Sequence, residues 1–462
     1  MYLKALENQK TSLIESLQEL IRIKSVKEDP IGHMPFGEGI QNALNYMLNL
    51  GASMGFKTKN VDNYAGYIEF GEGTELLGIL CHLDVVPEGD GWTFGPYSGS
   101  VDHGKLYGRG TLDNKGPAVA SLYAMKALKD SGFIPQKRIR LILGTNEESG
   151  SECIDYYLKH EEKPTVAFSP DADFPVIHGE MGIILFDLYQ KFENHIEDGG
   201  IELVSLKGGN APNMVPEYAE AKIIETTPID HIVKAYNLAK DVHIEHVKSD
   251  GFTLLKSHGI SAHGSTPEKG KNAISQLICL LDLIDLKIGD TSNFIRFLAR
   301  NIGMDYDGKS IGIGFKDDYN DLVLNLGMID LDQEHGKATV NVRYPITYKE
   351  ETIKMALDQT LADSGVDLLN WKCAHPLYFE PTHPLIATLM DVYREKTGDF
   401  DALPITIGGG TYARSMPNAV AFGALFPGAE DTMHQKDEYI SLEDLFKITD
   451  IYAEAILKLT EN

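Results

Sequence analysis

Histidine and carboxylate side chains gather at five places in this sequence, and their shared chemistry is to hold divalent cations and to move protons. His82 and Asp84 stand two residues apart in Cys81-His-Leu-Asp84, so in an extended chain both point to one side. Glu147 and Glu148 are neighbours in Thr145-Asn-Glu-Glu-Ser-Gly150. Being adjacent they must diverge, which lets one bind a metal while the other faces a substrate. Asp171 follows in Ser169-Pro-Asp-Ala-Asp173, and His434 lies far downstream in Asp431-Thr-Met-His-Gln-Lys-Asp437. Asp113 sits in Gly108-Arg-Gly-Thr-Leu-Asp-Asn-Lys-Gly116, between glycines that free the backbone for positions a side chain forbids. Each feature has an ordinary alternative: His-x-Asp pairs arise by chance, paired glutamates usually mark a solvated loop, and Asp is a common turn former. As a set, two imidazoles and several carboxylates without sulfur suit one or two zinc or manganese ions.

For these side chains to meet, the elements that carry them must end at one edge. The apolar run Glu75–Cys81 reads as a buried strand leading into His82. Arg138–Leu143 is a second strand leading toward Glu147, and Thr165–Phe168 a short third one delivering Asp171. Open α/β sheets place their sites at such carboxyl ends. The spacing predicts a helix over Pro117–Lys129, with Pro117 at its first position directly after the Asp113 turn. Leu13, Ile14, Leu17, Leu20, Ile21 and Ile23 predict an amphipathic opening helix, 38–55 a second one, and Asn63–Phe70 a strand. Alternating helix and strand indicate an α/β layered domain.

Beyond residue 178 the texture changes. Ile183–Gln190 and Ala219–Glu225 alternate as half-exposed strands do, Asn272–Ile284 reads as a helix, and Gly327–Asp332 with Lys337–Tyr344 as a strand pair. After a proline-rich joint at Pro376–Pro384 come helix Leu385–Lys396, strand Leu403–Ile407, the Gly408-Gly-Gly410 turn, strand Val420–Phe426 and helix Leu445–Leu459. The fold expected is α/β. A discontinuous catalytic, metal-binding domain (1–178 and 378–462) has a central mixed sheet flanked by helices, and an α+β lid domain (179–377) is inserted in it.

The 462 residues carry 68 acidic and 42 basic side chains, a formal charge of −26, which would repel nucleic acid and anionic membrane surfaces. The 43% hydrophobic content is that of a globular chain. Cys81, Cys153, Cys279 and Cys373 are scattered and form no Cys-x-x-Cys pair, as in a reducing compartment. Lys4, Glu7, Lys10 and Glu15 interrupt the N-terminal apolar residues, so no signal peptide is read there. No run approaches the roughly 20 apolar residues of a membrane span. A soluble cytoplasmic protein is expected, with no nucleic-acid or membrane partner.

The sequence resembles, over essentially its whole length, the dinuclear-zinc aminoacylase and carboxypeptidase family of peptidases, and within it the bacterial PepV-type dipeptidases. The resemblance rests on Cys-His-Leu-Asp-Val-Val-Pro (81–87), Gly-Arg-Gly-Thr-Leu-Asp-Asn-Lys-Gly-Pro (108–117) and Gly-Thr-Asn-Glu-Glu-Ser-Gly (144–150). It continues through Ser-Pro-Asp-Ala-Asp (169–173), Ser-Ala-His-Gly-Ser-Thr-Pro (261–267), Gly-Gly-Gly-Thr-Tyr-Ala-Arg (408–414) and the His434 loop. It implies two divalent ions per chain, zinc foremost, with manganese or cobalt as substitutes. Asp113 would bridge them, His82 and Asp171 completing one site and Glu148 and His434 the other. Asp84 would orient His82. Glu147 would be the general base for a metal-bridging water, whose pKa coordination lowers toward roughly 7.

The lid histidine His263 would meet the negative charge developing on the substrate carbonyl. Arg343, in Asn341-Val-Arg-Tyr-Pro345, would grip the substrate carboxylate, with a strand-face arginine in a surface ion pair as the alternative. Asn213 and the backbone N–H groups of Gly409 and Gly410 would also reach the substrate. Asn114 departs from relatives that carry a second Asp there, and the resemblance implies a cis peptide between Asp113 and Asn114. A lid this long resembles the monomeric dipeptidase branch. The expected activity is hydrolysis of unblocked dipeptides, with N-acyl amino acid deacylase or carboxypeptidase as the alternative. No Gly-x-Ser-x-Gly elbow and no His-Glu-x-x-His helix supports another hydrolase class.

Overall fold

The computed structural model describes residues 2–194 and 199–461. The chain forms two compact units, Met1–Gly179 with Phe379–Asn462, and Glu180–Tyr378. No helix among the described residues is long and apolar enough to cross a membrane.

In the first unit the organising strand is Leu76–His82, buried at every position because it runs between two parallel neighbours, Arg138–Gly144 and Val166–Ser169. Such a strand has no solvent face, which explains its unbroken apolar run. Ala419–Ala421 extends the parallel set beside Val166–Ser169. Antiparallel strands flank it: Ala65–Phe70 pairs with Arg138–Gly144, Lys57–Val61 with Ala65–Phe70, and Ile177–Glu180 with Ala419–Ala421. The sheet is mixed. Helix Lys115–Asp130 packs between the first helix, Tyr2–Ile21, and the last, Leu442–Glu461. Its residues from Lys115 to Met125 are all buried. It opens two residues before the expected start, so Pro117 is its third residue, still within the first turn where a missing N–H costs nothing. Gly116 is required there: a Cβ would lie 2.0 Å from the Thr111 carbonyl oxygen.

One expected strand is divided. Val420–Phe426 becomes Ala419–Ala421 in the main sheet and Ala424–Leu425, which pairs in parallel with Ala172–Asp173. Gly423, at φ +80°, makes the break, and its Cα packs so closely on the Phe174 ring that a Cβ would come within 2.3 Å of it. The chain leaves the sheet here to bond the segment after Asp171, with Ala172 N donating to Gly423 O at 2.7 Å.

The second unit is α+β. Eight antiparallel strands run in the order His243–Ser249, Phe252–His258, Tyr218–Ile224, Glu202–Gly208, Val323–Leu331, His335–Tyr344, Gly182–Lys191, Asp367–Ala374. The alternation expected near 219–225 is visible as buried Ala219, Ala221 and Ile223 between more exposed neighbours. That face packs in one core with helix Ala273–Leu281.

Candidate metal centre

Strand register brings the first ligating groups together. His82 lies opposite Gly144, three residues before Glu147, and Ile79 opposite Phe168, each three residues before His82 and Asp171. Parallel strands ending in step therefore deliver His82, the Glu147–Glu148 turn and Asp171 to one edge of the sheet. Asp113 arrives from the turn before helix Lys115–Asp130, and His434 from the loop before the last helix.

The side chains converge. His82 Nε2 is 2.8 Å from Asp113 Oδ1 and 3.5 Å from Asp171 Oδ1. His434 Nε2 is 2.9 Å from Asp113 Oδ2 and 3.2 Å from Glu148 Oε1. Each Asp113 oxygen thus faces a different imidazole, and the carboxylate is shared by two clusters, His82/Asp113/Asp171 and Asp113/Glu148/His434, each with its ligand atoms within 4.8 Å of one another. Glu147 belongs to neither cluster. The Asp113–Asn114 peptide is cis.

A ring of supporting contacts sets these positions. His82 Nδ1 donates to the main-chain oxygen of Asp84 at 2.9 Å, closer than the Asp84 carboxylate at 3.5 Å. A carbonyl can only accept, so the proton stays on Nδ1 and Nε2 is left to ligate. The Asp84 carboxylate instead accepts from Glu147 N at 3.0 Å and Glu148 N at 3.1 Å, fixing the turn that splits those two glutamates. Asn114 Nδ2 donates to Pro170 O at 2.6 Å and to Asp171 Oδ1 at 2.9 Å, a bond that an aspartate could not make. Tyr412 stands edge-on to His82, and its ring occupies the space a Cβ on Gly144 would need.

The electrostatics fit bound cations. Burial raises Glu147 well above the ordinary carboxylate range, with Asp171, Glu148 and Asp113 adding to it against the pull of His82. Burial and Asp113 raise Glu148 to about 7, and burial raises Asp171. Burial also works against Asp113, but the imidazoles of His434 and His82 outweigh it and hold Asp113 low. The same carboxylates overcome the burial of both histidines, raising His82 well above its usual value and His434 to about 11. Five carboxyl groups against two imidazoles make a site short of positive charge. Two divalent ions on its oxygen and imidazole donors supply that charge.

A pH dependence follows. Between about pH 4.5 and 7 the folded metal-free protein keeps a proton on Glu148 that the unfolded chain loses. Between about 6.5 and 11 it keeps one on His434. At these two groups the folded state binds more protons than the unfolded chain, so their contribution to metal-free stability is expected to fall as pH rises across both windows. Cations displace those protons and bind more tightly at high pH. The gain in Tm on adding Zn2+ to chelator-treated protein should therefore be larger at pH 9 than at pH 6; an equal or smaller gain contradicts this electrostatic account.

The other expected site residues are distributed as follows. In the second unit Asn213 and His263 adjoin: Gly264 N donates to Asn213 O at 2.7 Å, and Met214 bridges to His263. Both side chains are exposed. Arg343 is only 5% exposed, on strand His335–Tyr344, with Nε donating to Asn341 Oδ1 at 3.1 Å. In the first unit the Gly408–Gly410 turn is braced by Arg414, whose Nη2 donates to Gly409 O at 3.2 Å. Elsewhere, His246 has both ring nitrogens against carboxylates, Glu225 at 2.6 Å and Asp230 at 3.1 Å, with Lys248 beside them, an ion-pair cluster. Asn114, Arg109 and Glu438 were not singled out as site residues from the sequence. All three act through backbone or buried contacts that leave no spacing pattern.

Residues 78–458 match the sequence profile of Peptidase family M20/M25/M40. A Bacillus subtilis (strain 168) protein named "Putative dipeptidase YtjP" is 40% identical over 460 residues, covering 98% of both chains. A Staphylococcus epidermidis protein named "Putative dipeptidase" is 40% identical over 461 residues, covering 98% of this chain and 97% of its own. Among solved structures, human carnosine dipeptidase 1 superposes with a TM-score of 0.61 at 14% identity, covering 100% of this chain and 98% of that one. The dipeptidase Dug1p of Saccharomyces cerevisiae gives 0.58 at 11%, with the same coverage. These two likenesses concern the fold.

Proposed function

Since this chain belongs to Peptidase family M20/M25/M40, we propose that it is a two-metal dipeptidase that hydrolyses the peptide bond of unblocked dipeptides. The observation that carries this reading is Asp113, which presents one oxygen to each of two imidazole–carboxylate clusters, with Glu147 close by in neither. His82, Asp113 and Asp171 would hold one ion, and Asp113, Glu148 and His434 the other. Zinc is the ion this donor set favours, and manganese or cobalt also suits it. Bound there, the ions would acidify a water and polarise the substrate carbonyl.

Glu147 takes the proton from the attacking water and delivers it to the departing amine. Burial raises its proton affinity, as suits a carboxyl that must take a proton from water. Asp84 holds Glu147 and Glu148 apart through their backbone N–H groups. His263 donates to the carbonyl oxygen as charge develops on it, Arg343 takes the substrate carboxylate in its two-pronged fork, and Asn213, Gly409 and Gly410 complete the contacts to the peptide. The catalytic and metal-binding domain is the first unit and the lid the second. The protein acts as a cytoplasmic monomer, a location consistent with its four free cysteines.

The test is a hydrolysis panel of dipeptides, tripeptides, and N-acetyl and N-succinyl amino acids. Unblocked dipeptides should be cleaved with the highest kcat/KM. Preference for blocked amino acids would replace the reading with a deacylase, and release of C-terminal residues from longer peptides with a carboxypeptidase. The dipeptidase name borne by the two bacterial relatives supports the first outcome.

A further inference from the structure

Glu438 is fully buried, four residues beyond His434, and its carboxylate is surrounded by donors from the Asp113 turn. Oε1 accepts from Gly110 N at 3.0 Å, Leu112 N at 2.9 Å and Asp113 N at 3.2 Å. Oε2 accepts from Gly110 N at 3.1 Å and from Arg109 Nη1 at 2.6 Å. The main chain joins in, with Gly108 N donating to Glu438 O at 2.9 Å. Arg109, 2% exposed, turns the same Nη1 to the carbonyl of Gln435, the residue after His434, at 3.1 Å. Clustered N–H groups on a glycine-bearing turn form a concave anion site. Here the anion is a side chain from the segment that carries the other ligand. Gly110, at φ +90°, gives the turn this shape.

We infer that Glu438, clamped by Arg109, is the positioning residue that holds the Asp113 turn and the His434 loop in one geometry, so that a carboxylate from one and an imidazole from the other can share a cation. This rests on the two-metal reading. The two segments lie more than 300 residues apart in sequence. No direct backbone bond from either ligand to the other is needed, because one carboxylate bonds the Asp113 amide and, through Arg109, the chain beside His434. An amide cannot replace it. Both Glu438 oxygens accept, whereas a glutamine would turn an NH2 group toward N–H donors.

The experiment measures bound Zn2+ per chain across buffered free-Zn2+ concentrations, for the full-length protein and its Glu438→Gln and Arg109→Lys variants, with near-UV circular dichroism to confirm folding. In Glu438→Gln the midpoint for release of the more weakly held ion should move to 10- to 100-fold higher free Zn2+, the usual effect of losing a partner that orients a ligand. Arg109→Lys, which keeps the charge and loses the fork, should give a smaller shift in the same direction. A contribution to folding alone would lower the Tm of the metal-free protein and leave the release curve of folded variant in place. An unshifted curve in folded Glu438→Gln overturns the inference; if that variant does not fold, an unshifted curve in Arg109→Lys does so. Wild-type protein that binds two ions but cleaves no dipeptide sinks the dipeptidase reading and leaves this one standing, whereas wild-type protein that never holds two ions sinks both.

Discussion

A Glu147→Gln variant is expected to keep its metal ions and lose turnover by about 10²- to 10⁴-fold, the range a positioned general base contributes. The substitution is nearly isosteric, and the feature that fixes residue 147 is its backbone N–H on the Asp84 carboxylate, which glutamine retains. Glu148, whose N–H bonds the other Asp84 oxygen, stays in the His434 cluster. What disappears is a carboxyl whose proton affinity burial has raised. An amide cannot take a proton from water at neutral pH. The loss should fall on kcat, because Glu147 is assigned to proton transfer and not to substrate binding. Metal analysis and steady-state kinetics on one preparation decide the matter. Unchanged turnover removes Glu147 as the base, and loss of an ion makes it a ligand.

The reasons some of this site could be read from sequence are physical. A strand buried on both sides must be apolar throughout, so Leu76–Cys81 announces itself, and the first polar residues after it must lie at the sheet edge. The same logic placed Glu147, Glu148 and Asp171. Periodicity likewise revealed four of the eight strands described in the second unit's sheet and helix Ala273–Leu281, where one face is buried and the other is not, but not Glu202–Gly208, His243–Ser249, Phe252–His258 or Asp367–Ala374. What stayed hidden depends on contacts between distant segments. Nothing local says that the Asp84 carboxylate bonds the Glu147 and Glu148 amides while its main-chain oxygen receives His82. Asn114 stands where relatives carry an aspartate, and nothing beside it in sequence signals that its amide donates to Asp171. The burial of Arg343 is set by its place in an inner strand between Val323 and Ile183, which a single strand's pattern does not disclose. Val420–Phe426 read as one strand because its apolar run continues through Gly423, although the Phe174 ring turns the chain out of the sheet there.

The largest effect of all is expected at Asp113. Asp113→Asn should reduce bound metal from two ions per chain to one or none and cut turnover more deeply than Glu147→Gln. The carboxylate gives Oδ1 to His82 at 2.8 Å and Oδ2 to His434 at 2.9 Å, so both clusters draw on it. An asparagine offers one oxygen and one NH2 group. It can serve one cluster, while toward the other it presents a donor where a ligand is needed. His434→Ala is the informative contrast, because it strips only the Asp113/Glu148 cluster and should leave one ion with His82, Asp113 and Asp171. Loss of both ions in Asp113→Asn, against loss of one in His434→Ala, would mark Asp113 as the shared ligand by stoichiometry, without reference to activity. The metal-free protein supplies a second, independent reading. There both imidazoles hold Asp113 low, so its ionised form stabilises the fold above the unfolded carboxyl pKa of about 3.9, and that contribution is lost only as pH falls below it. Asp113→Asn should accordingly lower the Tm of the chelated protein at pH 6 as well. A variant that still binds two ions would show that Asp113 is not the bridge, and the two clusters would then have to be held by separate carboxylates.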